Sequence, residues 1–153
     1  MATQSFDSRD GVIWMDGDYV DWPDAKLHVL SHGLHYASAV FEGERAYGGE
    51  IFKLREHTER LHASANMLGF EIPWSVETID EVCRELLRRQ GLTTAYVRPI
   101  AWRGSEMMGV SAQESTVHLV QFDEWSAADR QAAEDSDDDP GDSSESVDDG
   151  DDA

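Results

Sequence analysis

The sequence holds one cysteine, Cys83, and two lysines, Lys26 and Lys53, among 153 residues. A lone cysteine cannot close a disulfide within the chain, so a reduced, cytoplasmic setting is expected. No apolar run is long enough to cross a bilayer. Residues 1–10 are polar and acidic, without a basic start or an apolar stretch, so they read as a flexible N-terminus rather than a signal peptide. Basic residues of both kinds number 12 against 32 acidic ones, for a formal net charge of -20. Nucleic acid and anionic membranes repel such a surface and are not expected partners.

The acidic excess is concentrated at one end. Residues 121–153 carry 14 of the 32 acidic residues but a single basic one, Arg130. Beyond Trp125 the only large aliphatic side chain is Val147. Such a segment has too little apolar surface to offset the entropy of ordering it. Residues 123–153 are therefore expected to form a disordered acidic tail that solvates the chain, with an acidic interaction tail as the sharper reading. Residues 11–122 form the expected domain.

That domain alternates short strands with helices. In VIWMDGDYVDW the Asp16-Gly17 pair predicts a tight β-hairpin. HGLHYASAVFEG predicts a short helix, with Leu34, Ala37, Val40 and Phe41 at helical spacing and Gly43 as its stop. ERAYGGEIFKL predicts a second hairpin about Gly48-Gly49. LREHTERLHASANMLG predicts a helix with Leu54, Thr58, Leu61, Ala65 and Leu68 inward and Gly69 at its end. SVETIDEVCRELLRRQG predicts another, capped by Ser75 or by a Thr78–Glu81 box, with Val76, Ile79, Val82, Cys83 and Leu86 inward. In AYVRPIAW, Tyr96, Arg98, Ile100 and Trp102 share one strand face, and Pro99 marks an edge or an irregularity because it cannot donate to a ladder. STVHLVQF predicts the last strand. The sum is an α+β domain: an antiparallel sheet with two main helices.

Few residues in this frame look chemically committed. His28, His32 and His35 lie close in sequence, but Gly33 disfavours one continuous helix and no carboxylate or thiolate completes a ligand set. They are expected to bond nearby backbone or to pack at the surface, and no metal is expected. Cys83 falls on an apolar helical stripe, where burial as an inert thiol is expected. Arg60 has Glu56 four residues earlier, which suits a surface ion pair. Arg98 sits mid-strand between apolar residues, where an unpaired guanidinium is costly, so either a structural ion pair or a bound carboxylate should accompany it.

Taken together, IWMDGDYVDWPDAKLHVLSHGLHYASAVFEGERAY, IFKLREHTERLHASA, AYVRPIAWRG and MMGV resemble the branched-chain amino acid aminotransferases, pyridoxal-phosphate (PLP) enzymes of fold-type IV. The resemblance runs from about Gly11 to about Val120. It implies the small N-terminal domain of that fold and reversible amino transfer between Leu, Ile or Val and 2-oxoglutarate. By position, Arg60 matches the arginine that binds the PLP phosphate, which revises the surface-pair reading. Tyr96 and Arg98 match substrate-site residues, the arginine recognising the side-chain carboxylate of glutamate. Phe41 and Gly43 match the wall of the aliphatic pocket. Tyr36 and Val110 match residues contributed across a homodimer interface to the neighbouring site. The family's second domain carries the lysine that holds the cofactor covalently, and neither Lys26 nor Lys53 matches it. The resemblance thus implies a truncated chain that is inactive alone and in which no catalytic residue is assigned. The rival reading is a non-enzymatic dimerisation module with an acidic solubilising tail.

Overall fold

Asp16 and Gly17 both take positive φ, 53° and 107°, and close the first hairpin between β1 (Val12–Met15) and β2 (Asp18–Asp21). The turn is tied down by its own side chain, because Asp16 Oδ1 accepts the Leu119 amide at 2.8 Å and Oδ2 faces His118 Nδ1 at 2.6 Å. The second hairpin, β4 (Glu44–Tyr47) and β5 (Glu50–Ile51), turns on Gly48 and Gly49 as expected. These belong to a computed structural model that describes residues 5–124. Of the expected disordered tail, residues 123–153, Asp123 and Glu124 instead belong to the last strand, and the remainder lies outside the described residues, as do residues 1–4.

The strands form one antiparallel sheet of seven in the order β2-β1-β7-β6-β4-β5, with β3 (Ala39–Phe41) also pairing β6. The long strands β6 (Ala95–Arg103) and β7 (Val117–Glu124) pair in register from Tyr96 opposite Glu124 to Arg103 opposite Val117. On its other side β6 changes partner along its length. Residues 95–97 pair with β4 and residues 100–102 with β3. Pro99 stands between those two pairings, where its missing N–H leaves no ladder partner unsatisfied, while its carbonyl accepts the Glu42 amide at 3.0 Å. Of the two expectations for Pro99, irregularity holds and edge placement does not.

One expected helix is shorter than its periodicity suggested. α1 spans His32–Tyr36 and ends where Ala37 turns left-handed, φ 56°. Val40 and Phe41, expected on that helix, instead lie in β3, opposite Ala101 and Ile100. Their spacing fits a helix, but pairing with a strand distant in sequence decides the outcome.

α2 (Leu54–Met67) and α3 (Val76–Gln90) cover one face of the sheet. Leu54, Thr58, Leu61 and Ala65 are buried on α2, but Leu68, expected with them, is exposed past the helix end, and Gly69 follows with φ 75°. α3 starts at Ser75, whose side chain accepts the Thr78 amide, so the serine cap is the one used. Ile79, Val82, Cys83, Leu86 and Leu87 are buried, and burial pushes the Cys83 thiol up. Ile79, Val82, Cys83 and Leu87 join Ala95, Val97 and Ala101 of β6, Ala46 of β4 and Leu119 of β7 in one buried cluster.

The helix-covered side also buries polar groups. Glu44 is 2% exposed and neither carboxyl oxygen has a hydrogen-bond partner. Burial, followed by the nearby Glu42, Asp80 and Asp123 carboxylates, pushes its pKa up to about 8. Asp123, flanking Val97 on the opposite side of β6, is raised to about 7 by burial despite a hydrogen bond from Gln121. Among the described residues no helix is long and apolar enough to cross a membrane.

Candidate functional site

Alternation along β6 sends Ala95, Val97, Pro99 and Ala101 under the helices and turns Tyr96, Arg98 and Ile100 to the other, partly open face. Two polar side chains two residues apart on one strand face are neighbours, and here they are bonded. The Arg98 guanidinium donates to Tyr96 Oη through Nε at 3.1 Å and Nη2 at 2.5 Å. Its carbon lies 4.6 Å from the Phe41 ring centroid and 5.0 Å from that of Tyr96, so the cation lies over both rings. Among the described residues no carboxylate comes within ion-pair distance of it, and the Glu124 carboxyl, opposite Tyr96 on the neighbouring strand, feels its charge without direct contact.

Gly43 completes this cluster by lacking a side chain. A Cβ there would sit 2.5 Å from Tyr96 Oη and 3.2 Å from its Cζ. The phenol can therefore reach Arg98 only over a glycine. Four of the seven expected site residues, Phe41, Gly43, Tyr96 and Arg98, are thus brought into one group. Further along the same face, Ile100 and Trp102 join Met15, Lys26, Leu27 and Leu34 around an apolar cavity of about 220 Å³.

Arg60 stands on α2 and is oriented by a residue the sequence reading did not single out. Glu42, between Phe41 and Gly43, is 4% exposed and accepts Arg60 Nε at 2.7 Å and Nη2 at 2.5 Å. The partner is not Glu56, the i−4 neighbour, but a strand-end carboxylate 18 residues earlier. His57, one helical turn before Arg60, sets Nδ1 2.8 Å from Glu42 Oε2. A ring nitrogen facing a carboxylate takes the proton, so both residues donate to one oxygen. Burial alone would raise the Glu42 carboxyl, but the Arg60 and His57 hydrogen bonds and charges hold it below the ordinary carboxylate range. The available signal was the spacing of His57 and Arg60 on one helix face, together with an acidic residue set between apolar ones. The carboxylate joining them could come only from the tertiary fold.

The last two expected residues lie at another corner. Tyr36 ends α1 with its ring 4.6 Å from the His32 ring, and His32 Nε2 lies 3.0 Å from the carbonyl of Gly109, next to exposed Val110. Tyr36 and Val110 are therefore held near one another through His32 but belong to no contact with Arg98. His28 and His35 bond locally, Nδ1 of His28 accepting the Leu30 amide and Nε2 of His35 facing the Val29 carbonyl, while His32 joins nearby Ser38 through Nδ1 to the distant Gly109 carbonyl through Nε2. Among the described residues no group of three or more His, Cys, Asp or Glu side chains is arranged to hold a metal ion.

The chain matches the profile of the amino-transferase class IV family over residues 39–141. It is 48% identical over 120 residues to the branched-chain-amino-acid aminotransferase of Pseudomonas aeruginosa, a match covering 76% of this chain and 39% of that protein. Its fold superposes on the crystal structure of Escherichia coli branched-chain amino acid aminotransferase with a TM-score of 0.73 and 38% identity, covering 78% of this chain and 41% of that one. A T.th. branched-chain amino acid aminotransferase complexed with N-(5'-phosphopyridoxyl)-L-glutamate gives a TM-score of 0.69 at 41% identity, covering 76% of this chain and 42% of that one. The chain spans about two fifths of the length of these relatives.

Proposed function

We propose, for a chain that belongs to the amino-transferase class IV family, that it provides the substrate-side half of a PLP-dependent branched-chain aminotransferase site. The observation that carries this reading is Arg98. It is a half-buried cation bonded to the Tyr96 hydroxyl and lying over the Phe41 and Tyr96 rings, with Glu124 near enough to feel its charge but no carboxylate in ion-pair contact among the described residues. A phenol accepts hydrogen bonds but does not neutralise a guanidinium. The arginine is thus prepared for an anion, and its planar fork suits a carboxylate. Phe41 and the bare backbone of Gly43 give the same site an apolar wall. Such a pairing accepts a branched aliphatic side chain at the wall and the distal carboxylate of glutamate or 2-oxoglutarate at Arg98.

PLP fits the donor set on one side. Arg60 has its side chain 65% exposed and gives only Nε and Nη2 to Glu42, so further N–H groups remain for a phosphate. When bound, the cofactor supplies an electron sink for breaking the bonds at the amino acid's α-carbon. Arg60 would anchor its phosphate, while Arg98, Tyr96 and Phe41 would orient the substrate's side chain. Lys26 lies 3.8 Å from Asp24 on the surface, and Lys53 is exposed at the start of α2. Neither is assigned as the covalent cofactor lysine. Tyr36 and Val110, exposed together, are proposed to face a second copy in a homodimer.

Titration with 2-oxoglutarate, followed by tryptophan fluorescence, tests the reading. Arg98→Gln should weaken binding by roughly tenfold or more, the loss expected when a charge-assisted hydrogen bond is removed. The neutral amide 4-methylvaleramide, which has the aliphatic end but no carboxylate, should bind both proteins alike. Equal 2-oxoglutarate affinity in the two would refute the role of Arg98. The purified chain with PLP, leucine and 2-oxoglutarate should show no turnover, and robust turnover would refute the half-site.

A further inference from the structure

Granted that Arg60 takes the cofactor phosphate, we propose that Glu42 is a positioning residue that presents Arg60 as a preset site for a phosphate monoester. An arginine on a helix surface samples many rotamers, and holding it in one of them for a ligand costs side-chain entropy. Here that entropy is lost on folding. Glu42 grips the guanidinium along one edge, through Nε and Nη2, with two bonds of 2.7 and 2.5 Å.

The grip is rigid because Glu42 is itself fixed. Its carboxylate is 4% exposed, its amide donates to the Pro99 carbonyl at 3.0 Å, and His57 supplies a third donor at 2.8 Å. A guanidinium has five N–H groups. Two serve Glu42, Nη2 also lies 3.3 Å from His57 Nδ1, and both N–H groups on Nη1 remain. The buried carboxylate and the exposed arginine side chain, 4% against 65%, place the pair across the surface boundary with the acid inside. Glu42 also lies between Phe41 and Gly43. One residue thus fixes the spacing between the anion end on α2 and the substrate end on β6.

Charge and orientation predict opposite signs, which makes the idea testable. Glu42→Gln removes a negative charge beside the arginine, so through-space attraction alone would tighten phosphate binding. Loss of orientation would weaken it. The full chain, labelled with ¹⁵N, is titrated with inorganic phosphate at constant ionic strength near neutral pH. The Arg60 Nε–Hε signal, assigned by its loss in Arg60→Lys, is the readout.

In the wild type this signal should be protected from solvent exchange and should shift on adding phosphate. In Glu42→Gln the protection should vanish and the half-saturating phosphate concentration should rise about fivefold or more. Glu42→Asp retains the charge at shorter reach and should fall between the two, and it serves as the test if the glutamine variant does not fold. Unchanged or tighter phosphate binding in Glu42→Gln would overturn the positioning role and leave the phosphate role of Arg60 standing. A wild-type Arg60 signal that ignores phosphate would overturn both.

Discussion

Replacing Glu44 by glutamine should stabilise the chain at alkaline pH and leave it nearly unchanged in mild acid. Glu44 is buried under α2 and α3 with both carboxyl oxygens unpartnered, and its pKa stands at about 8 against an ordinary 4.5. Because the folded state holds the proton more tightly, folding is not penalised below pH 4.5. The penalty grows as the unfolded chain releases its proton, and it is complete above about pH 8, where the buried group ionises too. A shift of this size corresponds to about 5 kcal/mol, a large part of the ~5–15 kcal/mol that holds a domain folded. At about pH 5 the same relation leaves only about 1 kcal/mol. Glutamine has nearly the same shape and carries no charge at either pH. Urea unfolding at about pH 5 and about pH 9 is the assay. With an m-value of about 2 kcal/mol/M, the Glu44→Gln midpoint should exceed wild type by roughly 2 M in the alkaline series and by about 0.5 M or less in the acid one. A gap between the two proteins that does not change with pH would refute the reasoning, since it would mean the Glu44 carboxylate finds water or a cation inside the fold.

Gly43→Ala places a methyl group 2.5 Å from Tyr96 Oη. It should cost about 1–3 kcal/mol by thermal unfolding and also weaken 2-oxoglutarate binding, because the displaced phenol can no longer hold Arg98. Ser75→Ala removes the side chain that accepts the Thr78 amide and should cost about 1 kcal/mol with no effect on ligand affinity. Asp123→Asn should repeat the alkaline stabilisation of Glu44→Gln with its window moved down, since its pKa rises from 3.8 to about 7.

The parts of the fold that were legible in the sequence are those that local chemistry decides. The Asp16-Gly17 and Gly48-Gly49 turns need positive φ, and their residues supply it. The stripes of α2 and α3 need a helical period, and Leu54, Thr58, Leu61 and Ala65 show it. The end of α1 was not legible because it depends on β3 finding Ile100–Trp102, a contact no window around Val40 contains. The site divides in the same way. Alternation along β6 exposed the Tyr96–Arg98 face, whereas Phe41 and Gly43 were reached through resemblance alone. Glu42 and His57 were missed because their link to Arg60 spans a strand end and a helix. Glu44 gave no sign of burial, since an acidic residue in a hairpin strand ordinarily faces water.

The two faces of β6 treat charge in opposite ways, and the contrast bears on which charges serve binding. Beneath the helices, Glu44 and Asp123 flank Val97 in an environment that drives them toward the neutral acid. A group that gives up its charge on folding offers nothing to a charged ligand, so these carboxyls act on stability. On the open face Arg98 cannot take that route, because a guanidinium stays protonated at any physiological pH. Its charge persists against the Tyr96 phenol and the Phe41 ring. At Arg60 the charge is matched by Glu42, yet the acid is inside and the cation outside. An anion approaching either arginine therefore meets the cation first. A net charge of -20 should repel small anions from most of the molecule. Raising salt should therefore weaken long-range repulsion and local attraction together. Affinity for 2-oxoglutarate should then change less with ionic strength than it would at an isolated surface arginine, and a steep loss of affinity with added salt would argue against the shielded, aromatic-framed site described for Arg98.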